Sequence, residues 1–217
     1  MDKALYYNTV SPLLLSTLQD LMRNAAFNDF RLVGGTSLSL QLGHRQSIDI
    51  DLFTDSLYGT VDFKTIDDYL RKHYAYVDTF ETDIIGMGKS YYVGKSKNDS
   101  IKLDLFYTDS FIRPFLLKDE LRLATLEEIV AMKIDVILRG GRKKDFWDIH
   151  ELMDVFSIEQ MISLHKERYL YAHNKHEIIA QLANFEHADS DFDPICLRDK
   201  YWEIIKLDLF EAIQRIV

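Results

Sequence analysis

Two periods of apolar residues divide the chain. Up to about residue 122, runs that alternate apolar and polar positions are interleaved with short helical repeats, and beyond Thr125 the apolar spacing is helical throughout. In the first part, Ser11 followed by Pro12 has the form of an N-cap and first helical residue, which predicts a helix through about Ala26. FRLVGG reads as a short strand running into a turn, and residues 36–42 as a short helix stopped by Gly43. SIDIDLF alternates strictly and predicts a strand. Residues 62–74, with Ile66, Tyr69 and Leu70 on one side, predict a helix. YVDTFE, SYYVG and IKLDLFY read as strands, the last two joined by the polar turn KSKNDS.

The second part carries repeated helix-start signals. TLEE at Thr125 is a capping box with Glu128 three residues on, and Gly140 and Gly141 end that helix. SIEQ at Ser157 and NKHE at Asn174 repeat the signature, and a last amphipathic helix covers about residues 199–216. The join, LLKDELRLA, is charged but short, which predicts packed lobes and no floppy linker. The fold class is therefore α+β: a mixed α/β domain over residues 1–122 and a helical domain over residues 123–217, with no internal repeat.

Composition narrows the function classes. The chain has 217 residues, 47% of them hydrophobic, enough to bury a sizeable core. No apolar run approaches the roughly 18 residues of a membrane span, and MDKALYYNTVSP lacks the order of a signal peptide, so a cytoplasmic protein is expected. The single cysteine, Cys196, excludes an internal disulfide and fits a packing role. A net charge of -9 argues against a protein that coats nucleic acid without specificity, though not against a local basic patch. RGGRKK, residues 139–144, is the densest such patch and reads as a solvated loop between helices. HADSDFDP departs from calcium-loop spacing and reads as an acidic surface turn.

The candidate chemistry lies in IDIDLF. In a strand, Asp49 and Asp51 share a face while Ile48, Ile50 and Leu52 take the other. Adjacent carboxylates repel unless they are exposed, protonated or neutralised by a divalent cation, and a bare Asp-x-Asp also suits the polar face of a half-exposed strand. Asp104 in IKLDLF echoes the pattern, and two such strands side by side would gather three acids. Three acids of this kind suit two Mg²⁺ ions and a phosphoryl or nucleotidyl transfer. Gly34 and Gly35, leading into a helix, would let backbone amides approach a phosphate, with Thr36 and Ser37 as hydroxyl donors. Lys133 falls on the apolar face of its helix, where it either snorkels to solvent or reaches a triphosphate. Asp145 and Asp148 could cap the next helix or orient Lys133, and Arg45 could hold a phosphate or form an ordinary ion pair. His44 has no second histidine at ligand spacing, so zinc is not expected.

These blocks together, LVGGTSLSLQLGHRQSIDIDLFT, IKLDLF, TLEEIVAMKIDVILRGGRKKDFWDIHEL, FEHADSDFDP and YWEIIK, resemble the AbiEii family of nucleotidyltransferase-like toxins, akin to the mycobacterial MenT toxins. The resemblance spans about residues 31–210. It implies a minimal nucleotidyltransferase domain of the DNA polymerase β type followed by a helical bundle that closes the cleft. It also implies the toxin of a type IV toxin–antitoxin or abortive-infection system, with a separately encoded antitoxin. The glycine motif falls on Gly34, Gly35 and Thr36, the metal-binding pair on Asp49 and Asp51, and the nucleotide-handling lysine on Lys133. The later catalytic aspartate is Asp145 or Asp148. Family chemistry implies NTP and Mg²⁺, with RNA, and tRNA within it, as the acceptor class. The alternatives are a small-molecule or protein hydroxyl as acceptor, and a non-catalytic interaction module.

Overall fold

The computed structural model describes residues 4–80 and 86–216. Among these residues seven strands form one mixed sheet: β1 (Arg31–Leu32), β2 (Asp49–Thr54), β3 (Tyr76–Thr79), β4 (Gly88–Ser96), β5 (Asp99–Tyr107), β6 (Leu116–Lys118) and β7 (Leu121–Leu123). Their order is β3-β4-β5-β2-β1-β7-β6. The strand expected over YVDTFE ends at Thr79, and its last residue lies outside the described ones. The helices are α1 (Pro12–Arg23), α2 (Gly34–Leu42), α3 (Phe63–His73), α4 (Leu126–Leu138), α5 (Lys143–Leu152), α6 (Ile158–Arg168), α7 (Lys175–Leu182), α8 (Glu186–Asp189) and α9 (Trp202–Gln214). The fold is α+β, as the two apolar periods predict.

Alternation decides which sheet face is dry. In β2, Ile50, Leu52 and Thr54 are buried while Asp49, Asp51 and Phe53 are half-exposed, and β5 repeats this with Ile101, Leu103 and Leu105 against Lys102, Asp104 and Phe106. The dry face packs on α1 and α3 through Leu14, Leu18, Leu21, Ile66 and Leu70. A second apolar cluster joins α4, α5, α6, α7 and α9, with Val33 and Leu38 of the α2 region packed into it. Ile48 does not follow its neighbours: it precedes the strand and is 73% exposed.

Three local expectations change. The helix from Ser11 ends at Arg23, and a 3₁₀ turn, Ala25–Phe27, replaces its last residues because Asn24 leaves the helical region and caps that turn. The join LLKDELRLA is no plain connector but the β6–β7 hairpin. Asp119 and Glu120 adopt positive φ of 48° and 66° at its tip, the twist a two-residue hairpin demands, and β7 then pairs parallel with β1 at Leu32 and Leu123. At α4 only half of the capping box forms. Thr125 accepts from the Glu128 amide at 3.4 Å, but the Glu128 carboxylate turns inward.

That carboxylate is fully buried. Its Oε2 accepts from the Ile112 amide at 2.8 Å and the Arg113 amide at 3.3 Å, and its Oε1 pairs with Arg168 of α6. Arg168 also donates to the Thr108 hydroxyl at 2.9 Å and the Ser110 carbonyl at 3.0 Å. One ion pair thus staples the segment after β5 to α4 and α6. Arg168→Ala leaves a buried anion with only two amides, and is expected to lower stability by about 3–5 kcal/mol in a denaturant titration. The double variant Glu128→Gln with Arg168→Met is expected to lose less, since no isolated charge remains.

Candidate active site

The carboxylates meet through strand register. In the parallel β2–β5 pair Asp51 lies opposite Asp104, and Asp49 opposite Lys102, all on the half-open face. The Lys102 ammonium is 2.5 Å from Asp104 Oδ2, whereas Asp104 Oδ1 is buried with no hydrogen-bond partner among the described residues. Burial, together with the charges of Asp104 and Asp49, pushes the Asp51 carboxyl up to about 6 despite Lys133 and Lys102 nearby. Among the described residues no three acids, histidines or cysteines close a ready-made metal cage. A partly buried carboxylate raised by its neighbours beside an orphaned carboxylate oxygen nevertheless fits a divalent cation that completes its shell with water and phosphate oxygens.

The glycine turn abuts these acids. Gly34 has φ of +65°, and a Cβ there would stand 2.7 Å from Asp51 Oδ2, so the position excludes any side chain twice over. Gly35 leaves room for the Arg45 guanidinium, which a Cβ would strike. Val33, the N-cap of α2, offers no capping side chain, unlike Ser11, Asp62, Thr125, Ser157 and Asn174 at α1, α3, α4, α6 and α7. The amides that open α2 therefore remain for an anion next to Asp51. The hydroxyls expected to help them are spent elsewhere. Thr36 donates to the Asp49 carbonyl and lies 2.8 Å from the Ser47 hydroxyl, and Ser37 faces the Ala124 carbonyl at 3.4 Å. Thr36 instead ties the start of β2 to the glycine turn.

Behind this surface lies a second acid cluster with its charge balanced. Asp148 is fully buried and accepts from Arg45 Nε at 2.6 Å, Arg45 Nη2 at 2.8 Å and His44 Nε2 at 2.8 Å, with Lys133 Nζ at 2.7 Å. Asp145 accepts from Lys133 Nζ at 2.6 Å and from the Arg142 amide at 3.0 Å. Burial alone would raise the Asp148 carboxyl, but Arg45 and Lys133 and the bonds from Arg45 and His44 hold it well below the ordinary range. Burial likewise opposes the Lys133 charge, and Asp148 and Asp145 outweigh it. Arg45 therefore forms the ion pair rather than offering its fork to a phosphate. Lys133 does not snorkel: it is 6% exposed, and two of its three donors are engaged. Asp145 both caps α5 and orients Lys133.

Sequence reasoning did not find His44 as a partner of Asp148, since 104 positions separate them. It also passed over Lys102, although its spacing of two from Asp104 on one strand face was a usable signal.

The model of the family described as "Nucleotidyl transferase AbiEii toxin, Type IV TA system" matches residues 16–214. The chain belongs to the AbiEii family. This AbiEii chain is 28% identical over 191 residues to an uncharacterized protein of Aquifex aeolicus (strain VF5), covering 82% of the chain and 84% of that protein. Among solved structures it is similar to JHP933 from Helicobacter pylori, with a TM-score of 0.61, 18% identity, and coverage of 94% of this chain and 88% of that one. It is also similar to MenT4, nucleotidyltransferase toxin Rv2826c from Mycobacterium tuberculosis H37Rv, with a TM-score of 0.54, 17% identity, and coverage of 93% and 83%. At these identities the structural likeness concerns the fold, and the family match carries the activity: the protein is a nucleotidyltransferase toxin of the AbiEii type. No helix among the described residues is long and apolar enough to cross a membrane.

Two outcomes are expected. A carboxyl raised to about 6 in the folded state costs stability when ionised at neutral pH, a cost relieved as pH falls below that value. Asp51→Asn should therefore stabilise the protein at pH 7.5 by roughly 1–3 kcal/mol in a denaturant titration. Asp148→Asn should do the opposite, costing about 3–5 kcal/mol because Arg45 and Lys133 lose their shared anion. The Asp148 contribution is present above the ordinary aspartate range and lost as pH falls through its depressed folded value, so acid unfolding of the variant should begin from a lower plateau.

Proposed function

We propose that this AbiEii toxin is a Mg²⁺-dependent nucleotidyltransferase that moves NMP from an NTP to an acceptor hydroxyl on RNA, with the tRNA 3′ end as the acceptor. In this reading residues 1–122 are the chemical floor and residues 123–217 the wall that closes over it, with β7 carrying the sheet one residue across that boundary. In this reading the protein works in the cytoplasm as the toxin of a type IV toxin–antitoxin or abortive-infection system, opposed by a separately encoded antitoxin.

The observation that carries the reading is the contact of Gly34, at the uncapped start of α2, with Asp51, itself in register with Asp104. A phosphate seated on those amides lies against the carboxylates that need a cation. Asp49, Asp51 and Asp104 would hold up to two Mg²⁺ ions, which supply charge neutralisation and activation of the attacking oxygen. The chain's own groups do the rest. The Gly34–Thr36 backbone orients the triphosphate, and the third Lys133 donor offsets charge building on it. Arg45, Asp145 and Asp148 act through Lys133 and the position of β2. The acceptor oxygen bonds to the α-phosphorus, the bond to the bridging oxygen breaks, and pyrophosphate leaves, while the hydroxyl proton passes to solvent or the carboxylate face.

Incubation with α-labelled NTPs, Mg²⁺ and total tRNA is expected to label an RNase-sensitive product. Asp49→Ala should reduce that label at least about 100-fold. An RNase-resistant product would move the acceptor to a small molecule or protein, and equal labelling by Asp49→Ala, or none by wild type, would overturn the reading.

A further inference from the structure

A cleft of about 420 Å³ opens beside Asp49, between the segment before β2, the first turn of α5 and residues 191–195. Asp49 is the member of the carboxylate set that lines it; Gly34, Asp51 and Asp104 do not. The cleft therefore adjoins the phosphate turn without being part of it.

Its lining combines two chemistries. Arg142 and Lys144, the end of the RGGRKK patch, supply cationic groups. That patch is not a plain solvated loop. Gly140 ends α4 in the left-handed region, and Lys143 and Lys144 are the first residues of α5. Lys143 is buried and anchored, its amide donating to Asp191 at 3.0 Å and its ammonium to Asp193 at 2.9 Å, so the two acids that join Asp49 in the cleft wall already have partners. Lys144 makes no ion pair or side-chain hydrogen bond with any described residue. The nearest acid in sequence, Asp145, is committed to Lys133 and the Arg142 amide. Burial, then the like charges of Arg142, Lys133 and Arg45, press the Lys144 ammonium below its usual range.

The same lining is apolar elsewhere. Ile48, Phe192 and Ile195 are 73%, 99% and 62% exposed, three large apolar side chains around one cleft. Exposed singly they would need no explanation, but sharing a cleft with a lysine that has no partner among the described residues they match a ligand with an anionic end and a flat apolar end.

We infer that this cleft is a nucleotide subsite, in which Lys144 with Arg142 takes a phosphate and Phe192 with Ile48 and Ile195 takes the base by stacking and apolar contact. A partly buried lysine among cations has its charge satisfied by an anion arriving from outside, and an aromatic face accepts any base. The nucleotide is either the incoming NTP or the terminal residue of the RNA acceptor, whose chemistry is the same. The assignment rests on the nucleotidyl-transfer reading for its setting, but its test does not need turnover.

Equilibrium binding is measured with full-length protein, Mg²⁺, and two probes in turn: each of the four NTPs, and a labelled single-stranded RNA hexanucleotide ending in a 3′ hydroxyl. Lys144→Glu and Phe192→Asp are expected to weaken the same probe by tenfold or more, Lys144→Arg to retain it, and melting temperatures to stay unchanged because both side chains contact the cleft rather than the core. Loss confined to NTPs assigns the cleft to the incoming nucleotide, and loss confined to the oligonucleotide assigns it to the acceptor. Wild-type affinity for both probes in Lys144→Glu and Phe192→Asp overturns the subsite. If such variants also label tRNA normally, the transfer reading stands without it, whereas lost binding in a protein that labels nothing leaves the subsite standing alone.

Discussion

The site depends on one buried carboxylate. Asp148 draws Arg45 and His44 from the turn before β2 and Lys133 from α4 onto a single anion in α5. A bidentate arginine and a lysine on one aspartate, with Asp145 supplying the second negative charge, offset the desolvation that would otherwise make such a cluster prohibitive. The consequence is positional. Asp49 lies four residues beyond Arg45, so fixing Arg45 fixes where β2 enters the sheet. Gly35 belongs to the same device, because its missing Cβ is the path that the Arg45 guanidinium occupies.

The contrast between the two acid clusters is informative. Asp145 and Asp148 face two permanent cations and are held ionised. Asp51 and Asp104 meet across strands with Lys102 paired to only one of them, and the Asp51 carboxyl rises in response. A chain that can balance buried charge so completely in one place leaves the neighbouring place anionic. The imbalance is tolerable only beside an open sheet face, where a cation and its waters have access.

Much of this was legible from spacing. The period of two in IDIDLF and IKLDLF put the three aspartates on one face, and β-sheet register then brought Asp51 against Asp104. Ser157 with Gln160 and Gly43 in the left-handed region followed local rules and formed as those rules require. What was not legible depended on partners distant in sequence. Glu128 has the spacing of a capping-box acid, yet its carboxylate goes to the Ile112 and Arg113 amides and to Arg168, since a buried arginine outcompetes a solvated amide. Arg45 could not be assigned between phosphate and ion pair without knowing that α5 lies against it. The β6–β7 hairpin was hidden because, although Asp119 tolerates the left-handed region, Glu120 is unusual there, and a turn without glycine or asparagine carries little local signal.

The first turns of α5 concentrate these roles by rotation alone. Successive residues of a helix point about 100° apart. Lys143 therefore faces the 191–193 loop, Lys144 the cleft, and Asp145 turns back to Lys133, while Asp148, three residues on, returns to the Asp145 side. One short helical segment thus holds the loop that rims the cleft, supplies the cation within it and locks the strand bearing Asp49. A ligand on Lys144 would therefore sit on the same helical turn that orients Lys133, which places the cleft directly beside the carboxylate face.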